Sequence, residues 1–478
     1  MNDQLINPYA FLIKMRPEKH VRYPYTDLGD GRLLADCYQN VILYVPERKC
    51  WYCYRNGVWV QDLGGLRIME YCKEFADALK AYVKTIKDED LRDKYKKHTK
   101  KWQSRKSRET IIKDARSIRP VSITEFDCDP NVINCKNGTM HLDTMQFAPH
   151  RPEDLLTKMA PVVYNPTAKC DRFDRFIYEI MSGDAEKARF LQKAMGYALS
   201  GNTRHECMFI LHGATTRNGK GTLCESILHV MGSYGCSANP DILAAKSYLN
   251  SHAPSEDVAR LAGIRYVNIS EPDEGMVLNS ALIKRMTGND TLNARFLHEN
   301  SFDYQPQFKV FINTNHLPIV TDMSIFMSRR LLVIPFCTHF AEHEQDDRLK
   351  ELFRQPANQS AILNWLIGGY KMLQEEGLQP PTSVLIATGI YQENSDNITQ
   401  FVRDQLIEIP GAEVRTSEVY ARYRRWCEDN AIPLETNRNF NTSLRRIADI
   451  TRKRPKAGGG MTTMLLGYQL LPVESLQE

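Results

Sequence analysis

Mostly apolar runs of four to eight residues recur through the middle of the chain, separated by segments whose apolar residues repeat at helical spacing. Such short runs are typical of strands buried on both faces, and the periodic segments are typical of amphipathic helices. The predicted strands are 208–211, 263–270, 309–315 and 331–334. Helical spacing is clearest at 171–200 and 223–230. The pattern predicts an α/β fold for this part of the chain.

The flanking segments have different patterns. Residues 1–64 contain strand-like runs around the Asn56-Gly57 pair, which is a strong hairpin signal. Residues 66–119 are helical in pattern, and residues 413–478 indicate two helices followed by two strands around a basic turn, the outline of a winged helix. Five units are predicted: a small strand-rich module at 1–64, a helical and mixed domain at 65–165, the α/β core at 166–345, a helical subdomain at 346–404 and a winged-helix domain at 405–478.

The composition is that of a soluble globular protein: 478 residues, 42% hydrophobic and 25% charged, with a formal net charge of +4. The N-terminus lacks a signal-peptide pattern and no apolar run reaches membrane length, so we expect no membrane partner. Twelve scattered cysteines fit a reducing compartment. Cys50 and Cys53 form a CxxC among aromatic residues, which favours a hairpin core over a zinc site.

Positive charge is concentrated in one segment. Between residues 80 and 119 there are fifteen Lys and Arg against six Asp and Glu. A solvated helix face would have this composition, and so would a surface that contacts a nucleic-acid backbone. Tyr95 and Trp102 are interleaved with the charges. The sequence leaves both interpretations open.

The candidate chemistry begins directly after the first predicted strand. A polar loop punctuated by glycines runs from Gly213 to Lys220 and leads into the predicted helix at 223–230. A strand, a glycine-containing loop, Gly-Lys and a helix form a P-loop, whose backbone N–H groups and lysine bind phosphates. Ala214 stands where the strict pattern has glycine, and Gly221 stands where it has a magnesium-binding hydroxyl. Thr222 is the nearby substitute for that hydroxyl.

Acidic and amide residues follow the next two predicted strands. Glu271 and Glu274 come after 263–270, in the position of a Walker B acid and a neighbouring carboxylate that polarises water. Asn315 ends the run 309–315, where an amide can orient water near a γ-phosphate. Paired arginines, Arg329-Arg330, precede the last strand. They are either ordinary surface charges or, in a ring ATPase, a trans-acting arginine finger.

The order of these motifs resembles the phage and plasmid primase-helicase family, with a poxvirus-type C-terminal region, whose motor belongs to helicase superfamily 3. The matching motifs extend from roughly residue 30 to the end of the chain. They include Gly196-Tyr-x-Leu199-x-Gly201, Asn218-Gly-Lys-Gly-Thr222, Leu261-Ala-Gly-x-Arg265, Glu271-Pro-x-Glu274, Lys284-Arg-x-Thr-Gly-x-Asp290, Pro306-x-Phe-Lys309 and Thr314-Asn-His-x-Pro318.

The resemblance implies an AAA+ motor that assembles into a hexameric ring around DNA and hydrolyses ATP with Mg²⁺ between subunits, translocating 3′ to 5′. The implied nucleotide-binding residues are Gly213, Asn218, Gly219, Lys220, Gly221 and Thr222. The implied catalytic residues are Lys220, Glu271, Glu274, Asn315 and Arg330, with Arg329 and Arg330 at the finger position. Thr222 and Glu271 are the implied magnesium ligands.

The resemblance also implies DNA as the partner, single-stranded in the ring channel and duplex at an origin for the winged helix. The expected DNA-binding residues are Lys284, Arg295 and His298 in a channel hairpin and Arg452, Lys453, Arg454 and Lys456 in the basic turn. The expected setting is the cytoplasm of a bacterial host, with a separate primase or polymerase as a further partner. Family members that prime carry a polymerase-like domain ahead of the strand-rich module, so we expect no primase activity on this chain. The alternative is an ATP-regulated initiator or DNA-binding adaptor without processive unwinding.

Overall fold

A computed structural model of the chain describes residues 6–245, 256–295, 301–430, 432, 434–454 and 460–472. Two positions predicted to bind DNA, His298 and Lys456, lie outside the described residues. Among the helices within these ranges, none combines the length and the apolar character that a bilayer crossing requires.

The N-terminal part packs five helices against a small antiparallel meander. The elements are α1 (Pro8–Met15), α2 (Asp27–Cys37), β1 (Ile42–Val45), β2 (Cys50–Arg55), β3 (Val58–Asp62), α3 (Leu66–Val83), α4 (Glu89–Thr99) and α5 (Arg105–Ala115). Asn56 and Gly57 both have positive φ, 48° and 84°, and form the two-residue turn between β2 and β3, as the sequence predicts. One hydrophobic core, which includes the fully buried Trp102, joins the helices and the sheet.

A second antiparallel meander and two helices lead into the central sheet. These elements are β4 (Val132–Cys135), β5 (Gly138–His141), β6 (Gln146–Ala148), α6 (Asp171–Ile180) and α7 (Ala185–Tyr197). Side chains of β4, β5, α6 and α7 belong to the same hydrophobic core as one face of the central sheet. The segment is therefore part of the packing that supports that sheet.

The central part is a mixed α/β domain. Its strands are β7 (Met208–His212), β8 (Gly235–Ala238), β9 (Tyr266–Ser270), β10 (Leu292–Ala294), β11 (Phe302–Tyr304), β12 (Lys309–Thr314) and β13 (Leu331–Pro335). Its helices are α8 (Lys220–Met231), α9 (Glu256–Ala259), α10 (Ser280–Thr287), α11 (Ser324–Met327), α12 (Leu349–Arg354), α13 (Pro356–Glu376) and α14 (Thr382–Ser395).

Five of these strands form one parallel sheet in the order β13-β7-β12-β9-β8. Alternate residues of β7, β9, β12 and β13 enter two different cores: Phe209 and Phe311 pack on one face, and Ile210 and Ile312 on the other. Burial on both faces explains why these strands are continuous apolar runs in the sequence. The α/β fold class predicted for this region is confirmed. Strands β10 and β11 form a separate antiparallel pair.

Two buried cations fasten the central sheet to the chain that precedes it. Arg265 is fully buried; its guanidinium donates to the carbonyl oxygens of Val132 at 2.6 Å, Leu199 at 2.7 Å and Asp129 at 3.1 Å. Lys309, at the start of β12, is 1% exposed. Its ammonium donates to the carbonyl oxygens of Ser200, Asn202 and Gln307.

The C-terminal part has its own core, which centres on Phe401, Tyr423 and Phe440. The elements are α15 (Asn397–Gln405), β14 (Leu406–Arg415), α16 (Thr416–Asp429), α17 (Asn437–Ile447), β15 (Ile450–Lys453) and β16 (Thr462–Leu470). The sheet order is β14-β16-β15, all antiparallel. The two predicted helices and two predicted strands are present, and β14 is an additional strand that the sequence pattern did not reveal.

Candidate nucleotide site

The candidate site lies at the carboxyl edge of the parallel sheet, where β7 is followed by the turn 213–219 and helix α8. Lys220 is the first residue of α8, and Gly219 caps the helix with a left-handed φ of 82°. A side chain at Gly219 would also collide with Ile180, because a Cβ there would lie 2.4 Å from the Cγ2 atom of Ile180. Glycine is therefore required at this turn for both its conformation and its lack of a side chain.

Lys220 is buried, with 4% of its surface exposed. Its ammonium donates to the Oδ1 atom of Asn315 at 2.8 Å and to the carbonyl oxygen of Gly213 at 3.3 Å. Burial lowers the pKa of Lys220 to about 8, and the charges of Cys224 and Glu271 act in the opposite direction. Within the described residues no carboxylate is in hydrogen-bond contact with this desolvated ammonium, which is therefore suited to bind an anionic group.

The turn itself is closely packed around this lysine. A Cβ at Gly213 would lie 2.4 Å from the Nδ2 atom of Asn218 and 3.1 Å from the lysine ammonium. Asn218 is 3% exposed and donates to the carbonyl oxygen of Thr215 at 2.5 Å. The predicted residues Gly213, Asn218, Gly219 and Lys220 thus lie together in one compact turn.

The acidic residues and the amide lie at the same edge of the sheet. Asn315 follows β12, which pairs with both β7 and β9, and Glu271 follows β9. The backbone N–H of Glu271 donates to the carbonyl oxygen of Asn313 at 2.8 Å, and Glu271 has a left-handed φ of 51°. The Glu274 carboxylate is exposed and lies 3.8 Å from the Nδ1 atom of His316.

Gly221 and Thr222 occupy the first turn of α8. An added Cβ at Gly221 would have no atom of the described residues within 4 Å. Thr222 is half-buried, and its carbonyl oxygen accepts a hydrogen bond from Ser226. The role of the Thr222 hydroxyl remains a prediction.

The paired arginines lie at the opposite edge of the sheet. The N–H of Met208, at the start of β7, donates to the carbonyl oxygen of Arg330 at 2.9 Å. The side chain of Arg330 is held within the chain, by Glu206 at 2.6 Å and the Thr287 hydroxyl at 2.8 Å. Arg329 is exposed, has a left-handed φ of 53°, and makes no side-chain hydrogen bond or ion pair with the described part of the chain. The sheet therefore separates both arginines from Lys220.

The predicted DNA-binding residues lie away from the turn and in two places. Lys284, on α10, forms an ion pair with Asp322 at 2.7 Å, and Arg295 is half-buried directly after β10. In the C-terminal part, Lys453 pairs with Glu413, whereas Arg452 and Arg454 are exposed.

Sequence reasoning missed two contributions to the site. His212 ends β7, and its Nε2 atom lies 3.2 Å from the carbonyl oxygen of Asn315. Burial lowers the pKa of His212, and the neighbouring charge of Lys220 lowers it further. Residues 339–340 cover the outer side of the turn. The Nδ1 atom of His339 lies 2.9 Å from the carbonyl oxygen of Thr216, and the N–H of Phe340 donates to the carbonyl oxygen of Arg217. These contacts join segments more than one hundred residues apart and leave no local signal.

Two family models match this chain. A model described as "D5 N terminal like" matches residues 31–182, and one described as "Poxvirus D5 protein-like" matches residues 393–469. Together with viral relatives named as helicases and primases, these matches confirm the resemblance to primase-helicase proteins that the order of motifs predicts.

Viral proteins are among the relatives of this chain. One, named "Putative helicase", from Acanthamoeba polyphaga mimivirus is 23% identical over 417 residues, which are 80% of this chain and 43% of that protein. Another "Putative helicase", from Frog virus 3, is 27% identical over 54% of this chain and 28% of its own length. A "Putative primase" of African swine fever virus is 21% identical over 67% of this chain and 36% of its own length. The chain therefore spans less than half the length of these relatives.

Solved structures of the NrS-1 C terminal region are also similar. One apo structure has a TM-score of 0.48 and 10% identity and covers 92% of this chain and 99% of that one. A second, in the A form, has a TM-score of 0.46 and 11% identity, with 89% and 95% covered.

Proposed function

We propose that this chain is an ATP-dependent replicative DNA helicase, with a superfamily 3 AAA+ core around the parallel sheet and a winged-helix domain at 405–478. The observation that carries the proposal is the placement of Lys220. Its ammonium is desolvated in a glycine-lined turn at the carboxyl edge of a parallel sheet, 2.8 Å from the amide oxygen of Asn315. Open α/β sheets bind ligands at this edge. The names of the relatives support a role in DNA replication.

The residues at the turn fit a nucleotide with Mg²⁺. The positive end of α8 and the ammonium of Lys220 favour phosphate oxygens, and Gly213 and Gly219 allow the backbone to approach them. Glu271 is close enough to influence the pKa of Lys220, and with Thr222 it would hold the metal. Bound Mg²⁺ would neutralise charge on the phosphates during transfer.

In this proposal the carboxylates of Glu271 and Glu274 activate the attacking water, and the amide of Asn315 orients that water. Glu271 and Glu274 lie on the turn after β9, and Asn315 follows the neighbouring strand β12. In this proposal the Asn315 side chain exchanges its contact with Lys220 for one with water or phosphate when nucleotide binds. Lys220 then contacts the phosphates instead of the amide.

The ring is proposed because the two arginines are at the wrong edge to act in their own subunit. A five-residue strand such as β13 separates the edges by roughly 13 Å. Arg329 is the better finger candidate, since Arg330 is already held by Glu206 and Thr287. A site completed by a neighbouring copy requires a head-to-tail contact, and repeated contacts of this kind form a ring, here proposed as a hexamer, when the rotation between neighbours closes.

DNA contacts are proposed at the β10–β11 pair and in the C-terminal part. At the β10–β11 pair the residues are Lys284, on the preceding helix α10, and Arg295, directly after β10. The two strands pair at Ala294 and Phe302. Helices α15 to α17 with the antiparallel sheet β14-β16-β15 support the winged-helix assignment, and Arg452 and Arg454 lie where a wing would contact phosphates.

The decisive experiment compares ATP hydrolysis by the wild type and by Lys220→Ala, with and without single-stranded DNA. We expect hydrolysis that DNA stimulates and that falls by at least about a hundredfold in the variant, because the phosphate-binding ammonium is gone. Lys169→Ala is the control, since Lys169 is an exposed lysine outside the site. Hydrolysis that is absent in the wild type, or equal in Lys220→Ala, would refute the motor. Hydrolysis without DNA stimulation or unwinding would instead favour an ATP-regulated initiator.

A further inference from the structure

The basic segment 80–119 divides into two sets of residues that the sequence could not distinguish. Every arginine in it, together with Lys101, is held within the chain. Lys101 pairs with Asp27 at 2.8 Å and Asp30 at 2.6 Å, and Arg119 with Asp36 at 3.1 Å. The remaining contacts are Arg92 with Glu89, Arg105 with Glu109, Arg108 with the Trp102 and Gln103 carbonyls, and Arg116 over the Tyr44 ring.

The second set consists of lysines alone. All are exposed, and their ammonium groups make no hydrogen bond or ion pair with the described part of the chain. They are Lys80, Lys84, Lys87, Lys94, Lys96, Lys97, Lys100, Lys106 and Lys113. We call this set the lysine surface. Four acids of the segment, Asp88, Asp90, Asp93 and Asp114, form no side-chain ion pair in the described structure; since they are fewer than the nine lysines, positive charge predominates.

Helix geometry groups part of this surface on one face. In α4 and the turn that follows, Tyr95 and Thr99 are buried. At 100° per residue, Lys97 and Lys100 lie on the opposite side, and Lys96 lies next to them at about 80° from the centre of the buried face. Their charges are therefore neighbours, held by a helix whose other face is anchored in the N-terminal core.

The aromatic residues of the segment decide which nucleic acid this surface fits. Tyr95 is 2% exposed and Trp102 is fully buried, so neither can stack on a base. Binding of single strands combines backbone contacts with such stacking, whereas a set of lysines contacts phosphates alone. Duplex DNA presents the denser phosphate array, one charge per roughly 1.7 Å of axis.

We propose that the lysine surface is a second DNA-binding surface, outside the motor, that binds the phosphate backbone of duplex DNA without regard to sequence. It would hold the duplex near the ring while the motor acts on a single strand. The surface does not include the nucleotide turn, and duplex binding without ATP does not depend on hydrolysis. Failure of this proposal and failure of the proposed motor are therefore distinguishable.

The test is the salt dependence of duplex binding by the full chain without nucleotide, measured by fluorescence anisotropy with a labelled duplex of mixed sequence. The variant replaces Lys96, Lys97 and Lys100 with glutamine. The control replaces three exposed lysines elsewhere with glutamine, and so removes the same net charge. These lysines are Lys136, Lys169 and Lys371.

Affinity falls as salt concentration rises, so the slope of log affinity against log salt concentration is negative. We expect the magnitude of this slope to decrease by roughly 2–3 in the variant, since each lost phosphate contact removes about 0.9. The control triple should keep the wild-type slope, and neither triple should change basal ATP hydrolysis. If both triples lost the same amount of salt slope, the effect would be one of net charge alone. If neither lost any, the lysine surface would be an ordinary solvated face. Either result would overturn the proposal. A larger loss for a single strand of equal length than for the duplex would also overturn it.

Discussion

Lys220 has an environment unlike that of an ordinary surface lysine, since only 4% of its surface is exposed. Its ammonium contacts the carbonyl oxygen of Gly213 in the turn and the amide oxygen of Asn315 after β12, and no carboxylate of the described residues is in hydrogen-bond contact with it. Such partners hold the ammonium in place without neutralising it. Its depressed pKa, about 8, follows from this burial and makes its charge sensitive to pH near neutrality.

We predict that nucleotide binding takes up a proton at mildly alkaline pH. Burial lowers the pKa of Lys220 to about 8 in the free protein, so a large fraction is neutral at pH 8.5. Phosphate oxygens favour the charged form and raise that pKa, so binding draws a proton from the buffer. Calorimetry at pH 8.5 in buffers of different ionisation enthalpy should report uptake, which should vanish near pH 6.5, where Lys220 is already protonated.

Lys220→Arg is the matched variant, because a guanidinium stays charged throughout this pH range. If that variant still binds nucleotide, its binding enthalpy at pH 8.5 should not depend on the buffer. Proton uptake of equal size in Lys220→Arg would assign the titration to another group.

The paired arginines should separate into a structural and a functional residue. Arg330→Ala removes an ion pair with Glu206 and a hydrogen bond to Thr287, so it should lower the free energy of unfolding by about 1–3 kcal/mol. Arg329→Ala removes no contact within the described chain, so it should fold like the wild type. As the proposed finger, however, it should reduce hydrolysis by roughly a thousandfold. Urea unfolding and steady-state ATPase rates measure the two effects.

Mixing supplies the control for action between subunits. Arg329→Ala and Lys220→Ala proteins should each be nearly inactive, yet a mixture should recover activity, since an intact turn can then face an intact arginine. A mixture that stays inactive, although mixed oligomers form, would contradict a trans-acting role.

At the scale of elements, the buried Arg265 makes β9 dependent on the chain that precedes it. Arg265→Met keeps the volume but leaves the carbonyl oxygens of Val132, Leu199 and Asp129 without their donor. We predict a loss of at least about 3 kcal/mol in the free energy of unfolding. Arg260→Met, at an exposed position, should change it by less than about 0.5 kcal/mol. The urea midpoints of the two variants make the comparison, and equal midpoints would contradict this role.

The central strands could be predicted because burial on both faces leaves continuous apolar runs. The same reasoning could not explain why Arg265 and Lys309 stand within such runs, since their partners are backbone carbonyls far away in sequence. Strand β14 was missed because Pro410 and Gly411 interrupt it, and the pairing register shifts between Glu408 and Glu413. Local pattern carries no information on which distant strand a segment will join.

The sequence predicted only the local part of the candidate site, because local pattern does not show which distant segments come together. Gly213, Asn218, Gly219 and Lys220 are adjacent in sequence, so their order alone predicts the turn. Their closeness to the acids and to Asn315 depends on the order β7-β12-β9, which parallel pairing produces. That the paired arginines lie at the other edge, and that Arg330 is held by Glu206, became visible only in the fold.

For the whole molecule, hydrophobic cores do not coincide with the five units predicted from the pattern along the sequence. One core contains residues from α1, β2 and α5, on both sides of residue 64. Another contains residues from β4, β5, α7 and the central sheet, on both sides of residue 165. The C-terminal core begins with Ile398, a few residues before 405. The predicted boundaries of the five units remain predictions.

The carbonyl contacts of Arg265 also decide where this molecule can be divided for study. A fragment that starts at residue 166 would keep the guanidinium and the Leu199 carbonyl but discard those of Asp129 and Val132. It would also expose the apolar surface on which Ile133 and Met140 pack. A fragment that keeps all three carbonyl partners must therefore start ahead of Asp129. We expect truncation at residue 166 to destabilise the product, so inactivity of that fragment would say nothing about catalysis.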